Sequence, residues 1–330
     1  MALQLFSKKP VEPKVRPRPR PRLAEPDAFI PADRIELQAD PLHQAMQLER
    51  YAYLIINRSE FKEHPDVDKL CLQACERIDD SFALVPEGFA TIPRTLHDSP
   101  GAEEDTFETT PFLLGKHCVT NAQYQKFVEA GGYEQLELWP KELWPHLIDF
   151  KDLTECPGPR YWRHGRPSKK LMDHPVVGVC QFEAAAYARW AGFRLPTEAE
   201  WQMAATWRIR SVANTMRRYP WGDALDINRC NIWATGQGRT VPVDEYQPGA
   251  APNGVLQLIG NVWEWTASDF EVTDHTGGPV VGDMHMATIR GGAYDTYFQM
   301  QATSVFRTGL VSLARAHNVG FRLAWNLRGN

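Results

Sequence analysis

The chain has 330 residues, 43% of them hydrophobic and 11% aromatic, with eleven tryptophans, enough apolar material for one large domain plus an appendage. Its net charge of −5 gives no whole-chain reason to expect nucleic acid, no run approaches the roughly 18 apolar residues of a membrane helix, and the short apolar start is no signal peptide. Six scattered cysteines, Cys71, Cys75, Cys118, Cys156, Cys180 and Cys230, lack the paired C-x-x-C of a zinc site and predict buried, reduced thiols in a soluble cytoplasmic protein.

Residues 1–35 form a basic tail, in which Arg16-Pro17-Arg18-Pro19-Arg20-Pro21-Arg22 alternates a residue without a backbone donor with one that repels its like. Such a segment is expected to stay extended and disordered, in polyproline-II conformation. Seven Lys/Arg between Lys8 and Arg22 offer an arm to an acidic protein or to nucleic-acid phosphates, against the plainer reading of a solubilising tail. Over residues 36–82, Leu42, Met46, Leu48, Tyr51, Leu54 and Ile55, and then Val67, Leu70, Leu72 and Cys75, recur at helical spacing. A helical hairpin follows, which must cover its apolar faces on the main domain or on a partner.

The main domain is expected over residues 83–330. Phe89–Pro93 and residues 111–116 read as its first strands. Thr120, with Gln123 three positions on, reads as a capping box opening a helix that Gly131-Gly132 ends, its buried side formed by Tyr124, Phe127 and Val128. Residues 136–170 are irregular and aromatic: Trp139, Trp144, Tyr161 and Trp162, beside Arg160, Arg163 and Arg166, could line a binding groove, but the expectation is that they pack the loop with a small core of its own. Residues 174–179 read as a buried strand running into a helix over Gln181–Trp190, and Thr197 with Glu200 is a second capping box. In Gly260-Asn261-Val262-Trp263-Glu264-Trp265-Thr266, strand spacing puts both tryptophans on one face and the acid on the other. A carboxylate among large aromatics needs a partner: a cation held with nearby carbonyls, or an Arg and backbone N–H network. Arg290, Arg307, Arg315 and Arg322 are expected to tie loops down.

Five stretches, Gly260 to Thr266, Arg194-Leu195-Pro196-Thr197-Glu198-Ala199-Glu200-Trp201, Tyr219-Pro220-Trp221-Gly222, Arg290-Gly291-Gly292 and Asn318-Val319-Gly320-Phe321-Arg322, resemble in their order the motifs of the formylglycine-generating enzyme family, the sulfatase-modifying factor domain. The resemblance implies an irregular α+β fold related to C-type lectins, here with a short N-terminal helical extension. It implies, for catalytic members, oxidation of a substrate cysteine by oxygen on copper held by two cysteines after a Gly-Gly-Ser-Tyr turn. This chain has Gly291-Gly292-Ala293-Tyr294 at that turn, Thr296 in place of the first thiol, and no cysteine after Cys230. Neither Thr nor Gln supplies the soft thiolate that cuprous ion selects. The resemblance also implies structural calcium, held by the Gly260 and Val262 carbonyls with Glu264, and a second site using Asn231 and the Ile232 carbonyl. Gln257 weakens the first and the missing acid across residues 234–241 removes the second. No other cofactor is expected. The sulfoxide synthases of thiohistidine synthesis join this domain to a helical bundle that supplies several histidines for iron, whereas the N-terminal helices here offer only His43 and His64.

On the same fold, diversity-generating retroelement proteins display variable residues on the surface that residues 293–316 would form here, where Tyr294, Tyr297, Phe298, Met300, Phe306 and Leu310 give an aromatic-rich patch of which about half is expected to alternate into the core; Tyr294, Asp295, Thr296, Tyr297, Phe298 and Met300, with Trp263, form the candidate binding surface. The expectation is a non-catalytic accessory protein of a bacterial regulatory or defence system whose partner is another protein and not a membrane. One alternative is a non-haem iron or copper oxidase with ligands relocated to His275, His285 or His317, using Asp274, Asp283 or Asp295. A second is nucleic-acid binding through the basic tail.

Overall fold

The computed structural model describes residues 78–93, 104–208, 217–271 and 285–327; the Arg-Pro tail and residues 36–77 of the expected hairpin lie outside these, while residues 78–81 are helical and lead into a strand at Phe82. The fold is α+β, as the motifs implied. The strands are β1 (Phe82–Val85), β2 (Gly88–Pro93), β3 (Glu104–Thr109), β4 (Phe112–Gly115), β5 (Trp263–Asp269), β6 (Met286–Arg290), β7 (Arg307–Val311), β8 (Val319–Phe321) and β9 (Ala324–Asn326). The α-helices that lie wholly among the described residues are α1 (Asn121–Glu129), α2 (Gln181–Trp190) and α3 (Glu198–Thr206). They build three small sheets, ordered β1-β4-β9, β2-β3 and β7-β6-β5-β8. The pairing of β5 with β8 is parallel and that of β5 with β6 antiparallel, so the Trp-Glu-Trp strand lies inside its sheet. Strand β1 crosses residue 83, where the main domain was expected to begin.

Local chemistry accounts for the helix starts. The Thr120 hydroxyl accepts the Gln123 N–H at 3.2 Å, and the Gln123 side chain accepts the Thr120 N–H at 2.9 Å. Thr197 and Glu200 repeat the exchange at 3.2 and 2.8 Å. These caps satisfy donors that a helix leaves orphaned. A second acid, Glu183, accepts the Cys180 N–H at 2.8 Å at the start of α2.

The main core gathers Tyr124 and Phe127 of α1, Tyr187 of α2, both tryptophans of β5 and Phe321 of β8. Tyr124 stacks on Tyr187 at 5.1 Å. A second core lies under Trp201 and Met203 of α3, against β1 and β4. Within the 136–170 loop, Trp139 and Trp162 are buried, and their indole N–H groups donate to the Gly132 carbonyl at 3.0 Å and the Asn121 side chain at 2.9 Å. These two pack the loop on itself and on α1, whereas Trp144 and Tyr161, expected in the same core, are exposed.

Residues 174–179 depart from the expected strand. Val176 and Val179 are buried, yet Pro175 has no N–H to give a ladder and Gly178 turns the chain at φ +76°. What remains is one bridge between Thr120 and Pro175. Burial alone produced the strand-like pattern.

Two histidines around this region give a pH dependence. Burial, reinforced by Arg322, lowers His117, and burial, reinforced by Arg239, lowers His174, whose Nδ1 lies 2.9 Å from the Thr240 hydroxyl. Because each is depressed below its unfolded value near 6.5, the unfolded chain takes up protons first as the pH falls, and stability declines from about pH 6.5 downward. Thermal melts should hold steady between pH 8 and 7 and fall toward pH 5. The His117→Asn/His174→Asn variant should show a smaller decline over that window, above the range where carboxylates titrate.

Candidate functional site

Beneath the candidate surface lies a buried acid–arginine frame. Glu264 of β5, without solvent exposure, receives the Arg322 guanidinium in a fork, Nε to Oε2 at 2.6 Å and Nη2 to Oε1 at 2.5 Å. The Trp201 indole N–H donates to Oε2 at 2.8 Å and the Cys118 thiol to Oε1 at 3.4 Å. Arg322 spends its remaining donors on the Gly115 and Leu256 carbonyls, both at 2.9 Å. Of the two fates open to Glu264, the arginine network is the one realised. The lone pairs of Glu264 face a guanidinium, an indole and a thiol, the second of the two fates its sequence context allowed. Asn231 is likewise drawn into an amide network. It donates to the Arg239 carbonyl at 2.9 Å and to the Asn261 side chain at 3.2 Å, while Asn261 donates to Gln257 at 2.6 Å.

Two further centres repeat the device. Glu198 of α3 binds both Arg290 at 2.8 Å and Arg307 at 2.7 Å. Glu183 of α2 binds Arg315 at 2.8 Å and accepts from the Tyr133 hydroxyl at 2.6 Å. All four arginines named from the sequence thus anchor loops and strand ends. Arg194-to-Trp201 is a compact delivery of this frame: it supplies the α3 cap, Glu198, and Trp201, whose indole meets Glu264 while Arg290 lies over its ring at 5.1 Å.

The turn after β6 rests on that frame. Gly291, at φ +97°, brings its backbone so close to Leu258 that a Cβ would meet the Leu258 carbonyl oxygen at 2.6 Å, which is why glycine stands there. The Gly291 carbonyl accepts the Gly260 N–H at 2.9 Å, joining the turn to the Trp-Glu-Trp segment. Ala293 is fully buried. Thr296, 5% exposed, turns inward, and its hydroxyl accepts the Ala293 N–H at 2.8 Å. The expected placement of Thr296 on the binding surface is corrected by that bond. Trp263 also leaves the surface: it is 8% exposed, in the main core, 6.1 Å from Phe306.

What the turn presents outward is Tyr297, Phe298 and Met300, 61%, 60% and 62% exposed. Trp233, which the sequence reading did not assign to this surface, joins them at 57% exposure. Its ring meets Tyr297 edge-on at 4.7 Å, and Tyr297 meets Phe298 edge-on at 5.3 Å. The signal was available, since Trp233 precedes a polar stretch, residues 234–240, with nothing apolar to bury it. Beside the rings, Asp295 accepts from the Asn318 amide at 3.1 Å and lies 3.2 Å from His317 Nε2. Tyr294, 6.2 Å from the His317 ring, has its hydroxyl pushed up by burial and then by Asp295 and Tyr161. The result is an aromatic ladder flanked by a carboxylate, an imidazole and an amide.

The two described histidines among the relocated-metal candidates take different partners. His285 is spent between the Ser312 hydroxyl at 2.6 Å and Asp269 at 3.0 Å, whereas His317 sits with Asp295; Asp274, His275 and Asp283 lie outside the described residues. Among the described residues no three His, Cys, Asp or Glu side chains converge as a metal centre. The described cysteines are all free thiols. Burial, then Glu264, pushes up Cys118; burial, then Glu183, pushes up Cys180; and burial, then Asp226, takes Cys230 to about 12. These three remain protonated at neutral pH and offer no thiolate. At the turn itself the donors are the committed Thr296 hydroxyl, the Gln301 amide and a single thioether, Met300. That set does not fit a cuprous pair of thiolates.

The frame, the turn and the strand order together define a family. The sulfatase-modifying factor enzyme 1-like domain matches residues 70–327, and the chain belongs to that family. It is 33% identical over 232 residues to hercynine oxygenase of Mycobacterium tuberculosis, covering 66% of this chain and 53% of that protein. It is 29% identical over 301 residues to the inactive C-alpha-formylglycine-generating enzyme 2 of Mus musculus, covering 79% of this chain and 92% of the relative. The chain spans about half the length of the hercynine oxygenases it matches. Among solved structures it resembles CarF, with a TM-score of 0.52 at 20% identity over 74% of this chain and 98% of the other, a likeness of fold alone.

Proposed function

We propose that this chain is a non-catalytic member of its family, an accessory or regulatory protein that binds another protein through the Trp233, Tyr297, Phe298 and Met300 surface. The single observation carrying this reading is the turn itself. Where the family's copper chemistry asks for soft thiolates, Thr296 is turned inward against Ala293, and the side chains that point outward are apolar rings and a thioether. Four neighbouring large apolar residues, each more than half exposed, are the composition of an interface anchor. The mouse relative, an inactive enzyme by name, is in keeping with a scaffold that serves without the chemistry. We place the protein in the cytoplasm, where its thiols stay reduced, and in a bacterial regulatory or defence system.

The kinship with hercynine oxygenase favours one rival, an oxidase whose metal is held by other residues of the chain. Purified full-length protein separates the two. Metal analysis is expected to give well under one iron or copper per chain, with no oxygen uptake. A co-purifying protein partner should be retained by the wild type and lost at least tenfold in Phe298→Ser/Met300→Ser, both exposed positions whose change leaves the fold intact. Stoichiometric iron or copper with oxygen consumption, both abolished by His285→Ala or His317→Ala, would overturn the reading.

A further inference from the structure

The aromatic ladder and the Arg-Pro tail are chemically matched. Building on the binding role above, we propose that Arg16–Arg22 of this same chain docks on the Trp233–Tyr297–Phe298 ladder, so that the protein covers its own binding surface until a partner displaces the tail. The three rings follow one another at 4.7 and 5.3 Å, edge to face, and leave ring surface open to solvent. Flat, weakly hydrated groups fit such surfaces: pyrrolidine rings dock in aromatic-lined grooves, and guanidinium planes stack on ring faces. The tail alternates those two groups. Its fixed proline φ angles keep the ordering cost of binding low.

Charge points the same way. Residues 8–22 hold seven Lys/Arg and one Glu, a charge of +6, so the remaining 315 residues carry −11 to make the total of −5. At the ladder a carboxylate is in place. Asp295 and Tyr297 flank the inward-turned Thr296 and so face outward together, and Asp295 stays exposed while engaged with His317 and Asn318. The linker supplies reach. Arg22 is followed by the last 13 residues of the extended tail, 23–35, which span up to about 45 Å before the expected hairpin begins. Tethering gives an effective concentration on the order of 1 mM, so a contact with an intrinsic Kd of about 0.1 mM would be roughly nine-tenths closed.

The test uses the full-length chain throughout. A fluorescein-labelled peptide of residues 14–24 is titrated, by anisotropy, into the wild type and into R16E/R18E/R20E/R22E, whose own tail is charge-reversed and leaves the ladder open. The variant should bind the peptide at least about tenfold more tightly than the wild type, and adding Trp233→Ser or Phe298→Ser to the variant should abolish binding. Conversely, Phe298→Ser in the wild-type background should free the tail and raise affinity for a 20-base-pair DNA duplex at low salt. Equal peptide affinity in wild type and variant, binding indifferent to Trp233 and Phe298, or DNA affinity unchanged by Phe298→Ser would each overturn the contact. Should the peptide fail while Phe298→Ser/Met300→Ser still releases a co-purifying protein, the self-docking falls and the protein-binding role stands.

Discussion

Replacing Arg322 by Met should cost about 3–5 kcal/mol, the range for stripping one partner from a buried ion pair, read as a lower urea midpoint at unchanged slope. The magnitude follows from what is left behind. Glu264 has no solvent exposure, and with Arg322 gone its charge keeps only the Trp201 indole at 2.8 Å and the Cys118 thiol at 3.4 Å. The Gly115 and Leu256 carbonyls lose their donor at the same time, which loosens the end of β4 from the loop before β5. Arg322→Lys should recover only part of the loss, because an ammonium keeps the charge but not the two-pronged fork or the reach to both carbonyls. Cys118 supplies an independent readout: burial and Glu264 push its thiol up, so native Cys118 should resist alkylation, while Arg322→Met should expose it to reagent. Loss below 1 kcal/mol, with Cys118 still protected, would mean the pair is dispensable.

The contrast between what this sequence discloses and what it withholds follows the range of the interactions. Thr120 with Gln123 and Thr197 with Glu200 were readable as helix starts because both halves of each capping box lie within three residues. The alternation of Trp263, Glu264 and Trp265 told that the tryptophans and the acid face opposite sides of β5, but not that both sides are buried. The five motifs pointed to the family, and the family match over residues 70–327 agrees. Partnership across distance was not readable. Glu264 and Arg322 are 58 positions apart and Glu198 and Arg307 are 109 apart, and no local pattern chooses between an arginine and a calcium ion for a buried acid. Pattern and analogy each misled once. Residues 174–179 are apolar enough for a strand, but Pro175 and Gly178 deny them a ladder. In the turn after β6, analogy with the variable face of the same fold puts Thr296 on the surface, while one hydrogen bond from the Ala293 N–H rolls it inward. Trp233 was overlooked because its partner Tyr297 comes from a segment 64 positions away.

The acid at Glu198 should prove at least as costly to remove as Arg322. Two guanidiniums, Arg290 with no exposure and the buried Arg307, converge on this one carboxylate at 2.8 and 2.7 Å. Burial, with Arg307 adding repulsion against the pull of Glu198, brings Arg290 down to about 10, so it stays charged at neutral pH. Glu198→Gln keeps the volume and one acceptor oxygen but leaves both cations uncompensated a few ångströms apart. The expected loss is about 5 kcal/mol, the upper end for breaking a buried pair, and comparable to the whole stability of a marginal domain. Uncompensated charge, and not a packing defect, is the cause, and a double variant distinguishes the two. Arg307→Met alone should destabilise by roughly 2–3 kcal/mol, the price of its bonds to Glu198 and to the Pro93 and Glu271 carbonyls. Adding Arg307→Met to Glu198→Gln removes one of the stranded cations, so the double variant should be less destabilised than the two losses added together, by at least about 1 kcal/mol. Simple additivity, or a double variant worse than the sum, would show that Glu198 contributes shape and not charge, and the frame under the turn would then need another explanation than electrostatic pairing.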